Sequence, residues 1–340
     1  MIEVRTCARL HLGLLDHNGG EGRLYGSIGL SVSRPHLLLR AEESEELIVE
    51  GSETDRVASY AQQLIRHYGL PAGARLNLLT SIPAHVGLGS GTQIALAVGT
   101  ALTRLAGLSV SPEEIASIAG RGARSGIGIA TFQRGGFVLD GGHRIAAEGN
   151  LPLSRAARNG VPPILFHHSV PAEWRFVTVI PGRDQGFSGE METSAFMRMP
   201  EAPAHLAEKV SRLVLMKMLP ALVEKDIASF GQALTGIQRL VGDCFAPVQG
   251  GRFSNPLSGK LIEFLLEKGA AGAGQSSWGP AVYGLVEGSG PARQLMKEVR
   301  VFLAGLGGGQ AFCVRPQNRG ATIRDSRGSA GERSSSSRSV

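Results

Sequence analysis

The residues best suited to chemistry lie in three glycine-rich stretches and one short acidic loop. The first runs Ile82-Pro83-Ala84-His85-Val86-Gly87-Leu88-Gly89-Ser90-Gly91-Thr92-Gln93 and continues directly into an Ala-, Val- and Leu-rich segment. Its glycines admit turns closed to residues with a Cβ, so several backbone N–H groups can converge on one point. A helix behind them adds its positive N-terminal end. A diphosphate or pyrophosphate suits such a nest, with Gly87, Leu88, Gly89, Ser90, Gly91 and Thr92 as candidate ligands. Alone, the stretch is equally a tight turn that ends a strand. Two standard motifs are excluded. No lysine precedes Lys209, so there is no P-loop lysine, and threonine stands at 92 where a Rossmann fingerprint needs glycine.

The second stretch is Arg9-Leu10-His11-Leu12-Gly13-Leu14-Leu15-Asp16, followed by Arg23 and Gly26-Ser27-Ile28-Gly29-Leu30. If Leu10, Leu12 and Leu14 face inward along a strand, Arg9 and His11 share the opposite face. Paired arginines beside a glycine turn hold phosphate through bidentate hydrogen bonds. Asp16, at the strand end, is placed to orient a ribose or stabilise developing positive charge. The plainer reading is a hairpin with a solvated charged tip.

The third stretch, Gly272-Ala273-Gly274-Gln275-Ser276-Ser277-Trp278-Gly279-Pro280, reads as a connector. Gly274, Gln275, Ser276 and Ser277 there are good sugar or phosphate ligands, while Trp278 also suits a core. One anion-suited loop in each half makes an interdomain cleft the expected site. In the acidic loop, Gly182 to Glu192, Glu190 and Glu192 are candidate ligands for a divalent cation carried by a substrate pyrophosphate. His167-His168 is read as incidental.

The elements that must position these residues follow from periodicity and caps. Strands are expected over Ile2–Leu15, Leu24–Val32, His36–Ala41, Glu46–Glu50 and Arg75–Thr80. Thr54 is the expected cap of a helix whose Val57, Ala61, Leu64, Ile65 and Tyr68 share a face and which ends at Gly69. Ser111-Pro112-Glu113-Glu114 is a capping box with proline at its first helical position. A hairpin is expected to turn at Gly141-Gly142. Residues 149–172 read as an interdomain connection. Then come a strand from Trp174, a helix with Ile227, Phe230, Leu234, Ile237 and Val241 on one face, and a helix from Asn255-Pro256. A strand over Ala281–Val286, a helix opened by Pro291 and a strand over Ala311–Val314 complete an α+β plait. The domains are therefore 1–170 and 171–316. Residues 317–340, with seven serines and five arginines, are expected to be a disordered tail.

Composition bounds the function. The chain has 340 residues, 42% apolar and 19% charged, which describes a globular protein. Half of its net charge of +6 falls in the tail, leaving local anion sites and no nucleic-acid face. Cys7, Cys244 and Cys313 form neither a disulfide framework nor a zinc motif. No apolar run approaches the roughly 20 residues that span a bilayer, and the start does not read as a signal peptide, so a cytoplasmic protein is expected.

The loop with Pro83, Gly87, Leu88, Gly89 and Ser90 resembles the P-x-x-x-G-L-G-S-S loop of the GHMP superfamily of small-molecule kinases, with Gly91 where a second serine is usual. The resemblance spans about the first 316 residues and implies a ribosomal-S5-like N-domain with a ferredoxin-like C-domain. It departs at the kinases' S-G-x-D motif. Here Ser125-Gly126-Ile127-Gly128 puts glycine where the aspartate near the acceptor hydroxyl belongs, which argues against phosphoryl transfer. Three signatures together, R-L-H-L-G-L-x-D-x-N-G with the following G-R-x-x-G-x-I-G-L, then G-L-G-S-G-T-Q and G-A-G-Q-S-S-W-G-P, resemble the β-ribofuranosylaminobenzene 5′-phosphate synthase branch of tetrahydromethanopterin biosynthesis.

That resemblance implies a decarboxylating phosphoribosyltransferase that joins 4-aminobenzoate to phosphoribosyl pyrophosphate. It further implies Mg²⁺ with the pyrophosphate substrate, no ATP and a homodimer. By the family's pattern Asp16 acts electrostatically at the ribose, Arg23 grips a phosphate or carboxylate, and His11 and Arg9 assist. An ATP-dependent kinase using another base, and a nucleotide sensor without chemistry, are the alternatives.

Overall fold

The computed structural model describes residues 1–145, 160–182 and 202–327. Two antiparallel-rich sheets form the scaffold. The first is built on β1 (Ile2–Asp16) and β2 (Arg23–Glu43), which pair along most of their lengths. β3 (Leu47–Gly51) and β4 (Ala74–Thr80) extend it, with β3 parallel to β4. α1 (Thr54–Tyr68) and α2 (Ser90–Leu105) pack against this sheet through Val57, Ala61, Leu64 and the almost wholly buried α2. α3 (Pro112–Ile118) begins as its cap signals require, with Ser111 accepting from the Glu114 N–H at 3.2 Å. α1 does not: Glu53, in a left-handed conformation and making no side-chain cap, precedes it, and Thr54 is already helical. Gly69 ends α1 at φ 60°, as expected.

Leu24–Val32 and His36–Ala41 were expected as separate strands, but β2 runs through Pro35. The ladder explains this. Arg9 opposes Ser31 and Cys7 opposes His36, so the intervening residues of β2 leave β1. Val32 and Ser33 pair instead with Pro316 and Arg315, and a proline, which has no N–H, is tolerated at such an irregularity.

The expected hairpin at Gly141-Gly142 is also corrected. After α4 (Ile127–Arg134), β5 (Phe137–Asp140) pairs with β2 and with β7 (Ile164–His168), while β6 (His143–Arg144) pairs with β2 and not with β5. β7 thus places part of the expected interdomain connection inside the first sheet.

The second sheet has the order β11 (Gly309–Val314), β8 (Trp174–Pro181), β10 (Val282–Glu287), β9 (Gly272–Gln275). β9 lies in the stretch expected to be a connector. Short of apolar residues, it carries no strand pattern, yet Gly272–Gln275 pair in register with β10. Before the sheet's helices come α5 (Ala204–Leu213), a π-helical turn over Val214–Met218, and α6 (Leu219–Glu224). α8 (Pro256–Glu267) and α9 (Ser289–Ala304) cover one face through Leu261, Leu265, Leu295 and Val299. The other face meets α7 (Ile227–Gln249), whose Phe230 packs on Trp174 at 4.8 Å between ring centres. Burying Phe230, Leu234 and Ile237 stabilises this junction by about 1.5–3 kcal/mol per side chain. α7 also contacts β1, so one continuous core joins the two sheets. Among the described residues no helix is long and apolar enough to cross a membrane.

The expected disordered tail is corrected over residues 317–327. Gln317 bonds backbone to backbone with Ser31 and Gly136, Asn318 exchanges two hydrogen bonds with Val170, and β12 (Thr322–Asp325) pairs with the edge of β1. Arg327 then donates to the Arg104 and Leu105 carbonyls that end α2. Composition cannot register a strand whose stability comes from a partner some 320 residues away. Ending the chain at Pro316 is therefore expected to cost a few kcal/mol, at about 1 kcal/mol net per hydrogen bond. A thermal melt of the truncated protein that matches the parent would contradict this.

Candidate active site

Two glycine loops, one from each half of the molecule, meet backbone to backbone. Gly87 and Gly89 take φ values of 85° and 86°, and a Cβ on Gly87 would stand 2.0 Å from the Ser276 carbonyl oxygen. A Cβ on Gly279 would lie 2.1 Å from Gly87 N. Only glycine permits this approach. Ser276, fully buried, ties the junction: its Oγ accepts from the His11 N–H at 3.0 Å and donates to the Gly87 carbonyl at 2.7 Å. Arg9 completes it, its N–H bonding the Leu88 carbonyl at 3.1 Å and its Nη1 donating to the Gly87 carbonyl. The structure thus brings together Arg9, His11, the Gly87–Thr92 loop and the Gly274–Ser277 stretch.

Beside this junction opens a cavity of about 700 Å³. Of the expected ligands, Arg9, His11, Thr92, Gln275 and Ser277 line it, whereas Gly87 to Gly91, Gly274 and Ser276 do not. β1 reaches it because Leu12 is an extra residue in the ladder: His11 opposes Gly29 and Gly13 opposes Ile28. A bulge of this kind resets the in–out alternation, so Gly13 and Leu14 join Arg9 and His11 on the cavity side. Arg121, Arg124 and Arg252 add three more guanidinium groups, and among the described residues no side chain lining the cavity is a carboxylate. Leu14, Val241, Phe245, Phe253 and Trp278 form an apolar wall, with Phe245 and Trp278 edge to face at 4.8 Å. Such a lining suits both an anion and an aromatic ring.

Residues 55–136 match the GHMP kinases N terminal domain, and residues 218–304 the GHMP kinases C terminal domain. Over 326 residues the chain is 37% identical to the β-ribofuranosylphenol 5′-phosphate synthase of Archaeoglobus fulgidus, covering 95% of this chain and 99% of the relative. It is 33% identical over 327 residues to the enzyme of that name from Methanothermobacter thermautotrophicus, covering 92% and 98%. The chain belongs to the β-ribofuranosylphenol 5′-phosphate synthase family. It is a pentosyltransferase-type enzyme on the GHMP fold. That fold extends to mevalonate diphosphate decarboxylase of Staphylococcus aureus, with a TM-score of 0.63 at 13% identity over 96% of this chain and 99% of that one.

Within this family member, Asp16 and Arg23 do not line the cavity. Asp16 Oδ1 accepts from the N–H groups of Asn18 and Gly19 at 2.6 and 2.9 Å, forming the turn after β1. Arg23 donates to the Gly141 and Gly142 carbonyls at 2.6 and 2.7 Å. These bonds form a backbone clamp that holds the start of β6 against β2, beside the phosphate or carboxylate grip expected of Arg23. Glu190 and Glu192 lie outside the described residues. Among those described, no group of three His, Cys, Asp or Glu is placed to hold a metal ion. None of the described residues that line the cavity is a carboxylate, so these residues by themselves do not form a protein-held Mg²⁺ site.

Sequence reasoning missed the residues that hold the site together. Gln238 donates to the Leu12 carbonyl at 2.6 Å and accepts from the Gln275 N–H at 2.8 Å, pinning α7 to β1 and β9. Its signal was available, because it is a glutamine within the apolar stripe of Leu234, Ile237 and Val241. Asp140 is fully buried and accepts from Ser27, Gly126 and Gly142 N–H groups at 3.0, 2.8 and 3.0 Å. It anchors the loop that carries Arg121 and Arg124. Burial pushes its carboxyl up to about 6 against the pull of those hydrogen bonds.

His11 is held at about 3, by burial first and then by the charges of Arg9 and His17; burial also lowers His17 to about 4. His11 is therefore a neutral ring at physiological pH and no imidazolium acid. Both histidines bind protons more weakly folded than unfolded, so the stability they contribute is complete above about 6.5 and is lost as pH falls toward 3–4. Asp140 has the opposite sign: its raised value favours the fold below about 3.9, and this contribution disappears as pH rises through 6. At pH 5 each histidine costs about 2 kcal/mol and Asp140 returns about 1. The melting temperature is thus expected to fall between pH 7 and pH 5. Replacing His17 with phenylalanine should flatten that fall, and an unchanged slope would contradict the assignment.

Proposed function

We propose that this enzyme transfers the ribosyl 5-phosphate group of phosphoribosyl pyrophosphate to the carboxyl-bearing ring carbon of 4-aminobenzoate. It releases CO2 and pyrophosphate and makes 4-(β-D-ribofuranosyl)aminobenzene 5′-phosphate for the methanopterin pathway. The observation that carries the reading is a cavity beside the glycine junction whose lining, among the described residues, joins four arginines and no carboxylate to an apolar, aromatic wall. Pyrophosphate departs from ribose C1 with its electron pair, so donors must meet the growing negative charge. Arg9 and the loop N–H groups suit that task. C1 becomes oxocarbenium-like, and the ring carbon, made electron-rich by the para amino group, attacks it. Loss of CO2 returns its bonding pair to the ring and restores aromaticity. No strong base is required, which agrees with glycine at 128.

The reading includes Mg²⁺ arriving as part of the donor complex, no ATP, a homodimer and a cytoplasmic setting. A second acceptor, 4-hydroxybenzoate, is favoured by the relatives' names, which specify a ribofuranosylphenol product. Supplying both acids with phosphoribosyl pyrophosphate and identifying the products by mass spectrometry decides between them. Pyrophosphate release that depends on an acceptor supports the transfer. Release of ADP from ATP with an alcohol, and none of pyrophosphate, would replace it with the kinase.

A further inference from the structure

We propose that Arg56 and Arg121 form a two-guanidinium clamp for pyrophosphate over the first turn of α2, and that Gly91 is the residue that makes room for it; this rests on the pyrophosphate-donor reading above. A Cβ on Gly91 would stand 2.8 Å from Arg56 Nη2 and 3.0 Å from Arg121 Nη2. Both guanidinium groups therefore converge on one point above Gly91. They reach it from separate elements, and each is held from behind. Glu53 binds Arg56 Nη1 at 2.9 Å. The Tyr60 hydroxyl accepts from Arg121, whose guanidinium also lies 5.3 Å from the Tyr60 ring centre. Arg56 and Tyr60 are one helical turn apart on α1, so a single face of that helix sets the geometry of both cations.

Two guanidinium groups and a positive helix end brought to one point repel one another, and an anion among them reverses that balance. The position of the glycine is the second observation. The superfamily loop resembled by this sequence has serine where Gly91 stands, and a side chain there would press on the ends of both guanidinium groups and displace them. The chain has replaced a hydroxyl at its loop with two charged forks. Guanidinium forks match phosphate oxygens in bidentate pairs, which a lysine does not. A pyrophosphate, with two phosphoryl groups and charge that grows as it leaves, suits two such forks better than a single phosphate does. The loop thus acquires, from α1 and from the turn after α3, the cations that its missing P-loop lysine does not supply.

The test is titration calorimetry with inorganic pyrophosphate on the full chain and on the Arg56→Gln, Arg121→Gln and Gly91→Ser variants, each checked by thermal melting. Each substitution is expected to weaken pyrophosphate binding by roughly 10- to 100-fold, the range for a hydrogen bond to a charged group. In steady-state assays the same variants should raise the KM for the ribosyl donor more than they lower kcat. Gly91→Ser combined with Arg56→Gln should lose little more than the weaker single variant, because both remove the same contact. Affinities within twofold of the parent for folded Arg56→Gln and Gly91→Ser would overturn the clamp, as would fully additive losses. The two readings separate cleanly. Arginine-dependent pyrophosphate binding without ribosyl transfer sinks the transferase and keeps the clamp. Transfer indifferent to these arginines does the reverse.

Discussion

Replacing Arg9 with alanine is expected to lower turnover by roughly 10²–10³-fold, the usual loss on removing one donor to a developing anion, while the protein stays folded. Arg9 faces both the cavity and the glycine loop. Its guanidinium lines the cavity and donates to the Gly87 carbonyl, and its stem packs so closely on Gly89 that a Cβ there would meet Arg9 Cγ at 3.0 Å. The alanine variant keeps the backbone bond to Leu88 and the β1 ladder, so the register of the strand survives. What it loses is a cationic group at the cavity, where the proposed reaction has pyrophosphate leave, and the side-chain bond to the glycine loop. Lysine should recover little, because a point charge cannot both cap the carbonyl and present a planar fork. Arg252 is a fitting control: it lines the same cavity, but its guanidinium already pairs with Asp243 at 2.7 and 3.2 Å, so its loss should cost less. An Arg9→Ala enzyme that retains more than about a tenth of parental kcat would remove Arg9 from the account.

Gly128→Asp, which restores the carboxylate of the kinase motif, is expected to abolish useful donor binding without creating a kinase. Gly128 lines the cavity in the first turn of α4, and a Cβ there would meet Thr92 Cγ2 at 3.0 Å. Alanine needs only a small shift of Thr92, so Gly128→Ala should cost less than about tenfold in KM. Aspartate adds a charge among Arg9, Arg121 and Arg124. At an effective dielectric of about 20, one unit charge 4 Å from another is worth about 4 kcal/mol, or roughly three orders of magnitude in affinity for an anion. The comparison separates charge from bulk. Equal KM values for the alanine and aspartate variants would show that the cavity does not receive the pyrophosphate end of the donor.

The glycine loops were legible in the sequence because their function is a backbone approach that only one residue type allows. Gly87 and Gly279 announce it by identity alone. Arg9 and His11 were legible from strand alternation, although the bulge at Leu12 that brings Leu14 to the same cavity was not. Asp16 and Arg23 stand in the same motif yet spend hydrogen bonds on the turn after β1 and on the Gly141-Gly142 carbonyls. A charged side chain at a tight turn has backbone partners within reach, and sequence spacing does not distinguish those partners from a ligand. Arg121, Arg124, Arg252, Phe245 and Phe253 were missed for a different reason. They come from two distant segments, 121–124 and 245–253, and only the packing of α7 between the sheets makes them neighbours. β9 and β12 were missed because neither has the composition of a strand; each exists through a partner, β10 or β1, that supplies the pairing.

The most direct test of the central claim is release of labelled CO2 from 4-aminobenzoate labelled at its carboxyl carbon. It is run with phosphoribosyl pyrophosphate and Mg²⁺ and without ATP, alongside the same assay with labelled 4-hydroxybenzoate. Release is expected to require both the ribosyl donor and one of these acids, in step with pyrophosphate. A folded protein that releases no label from either acid would contradict it.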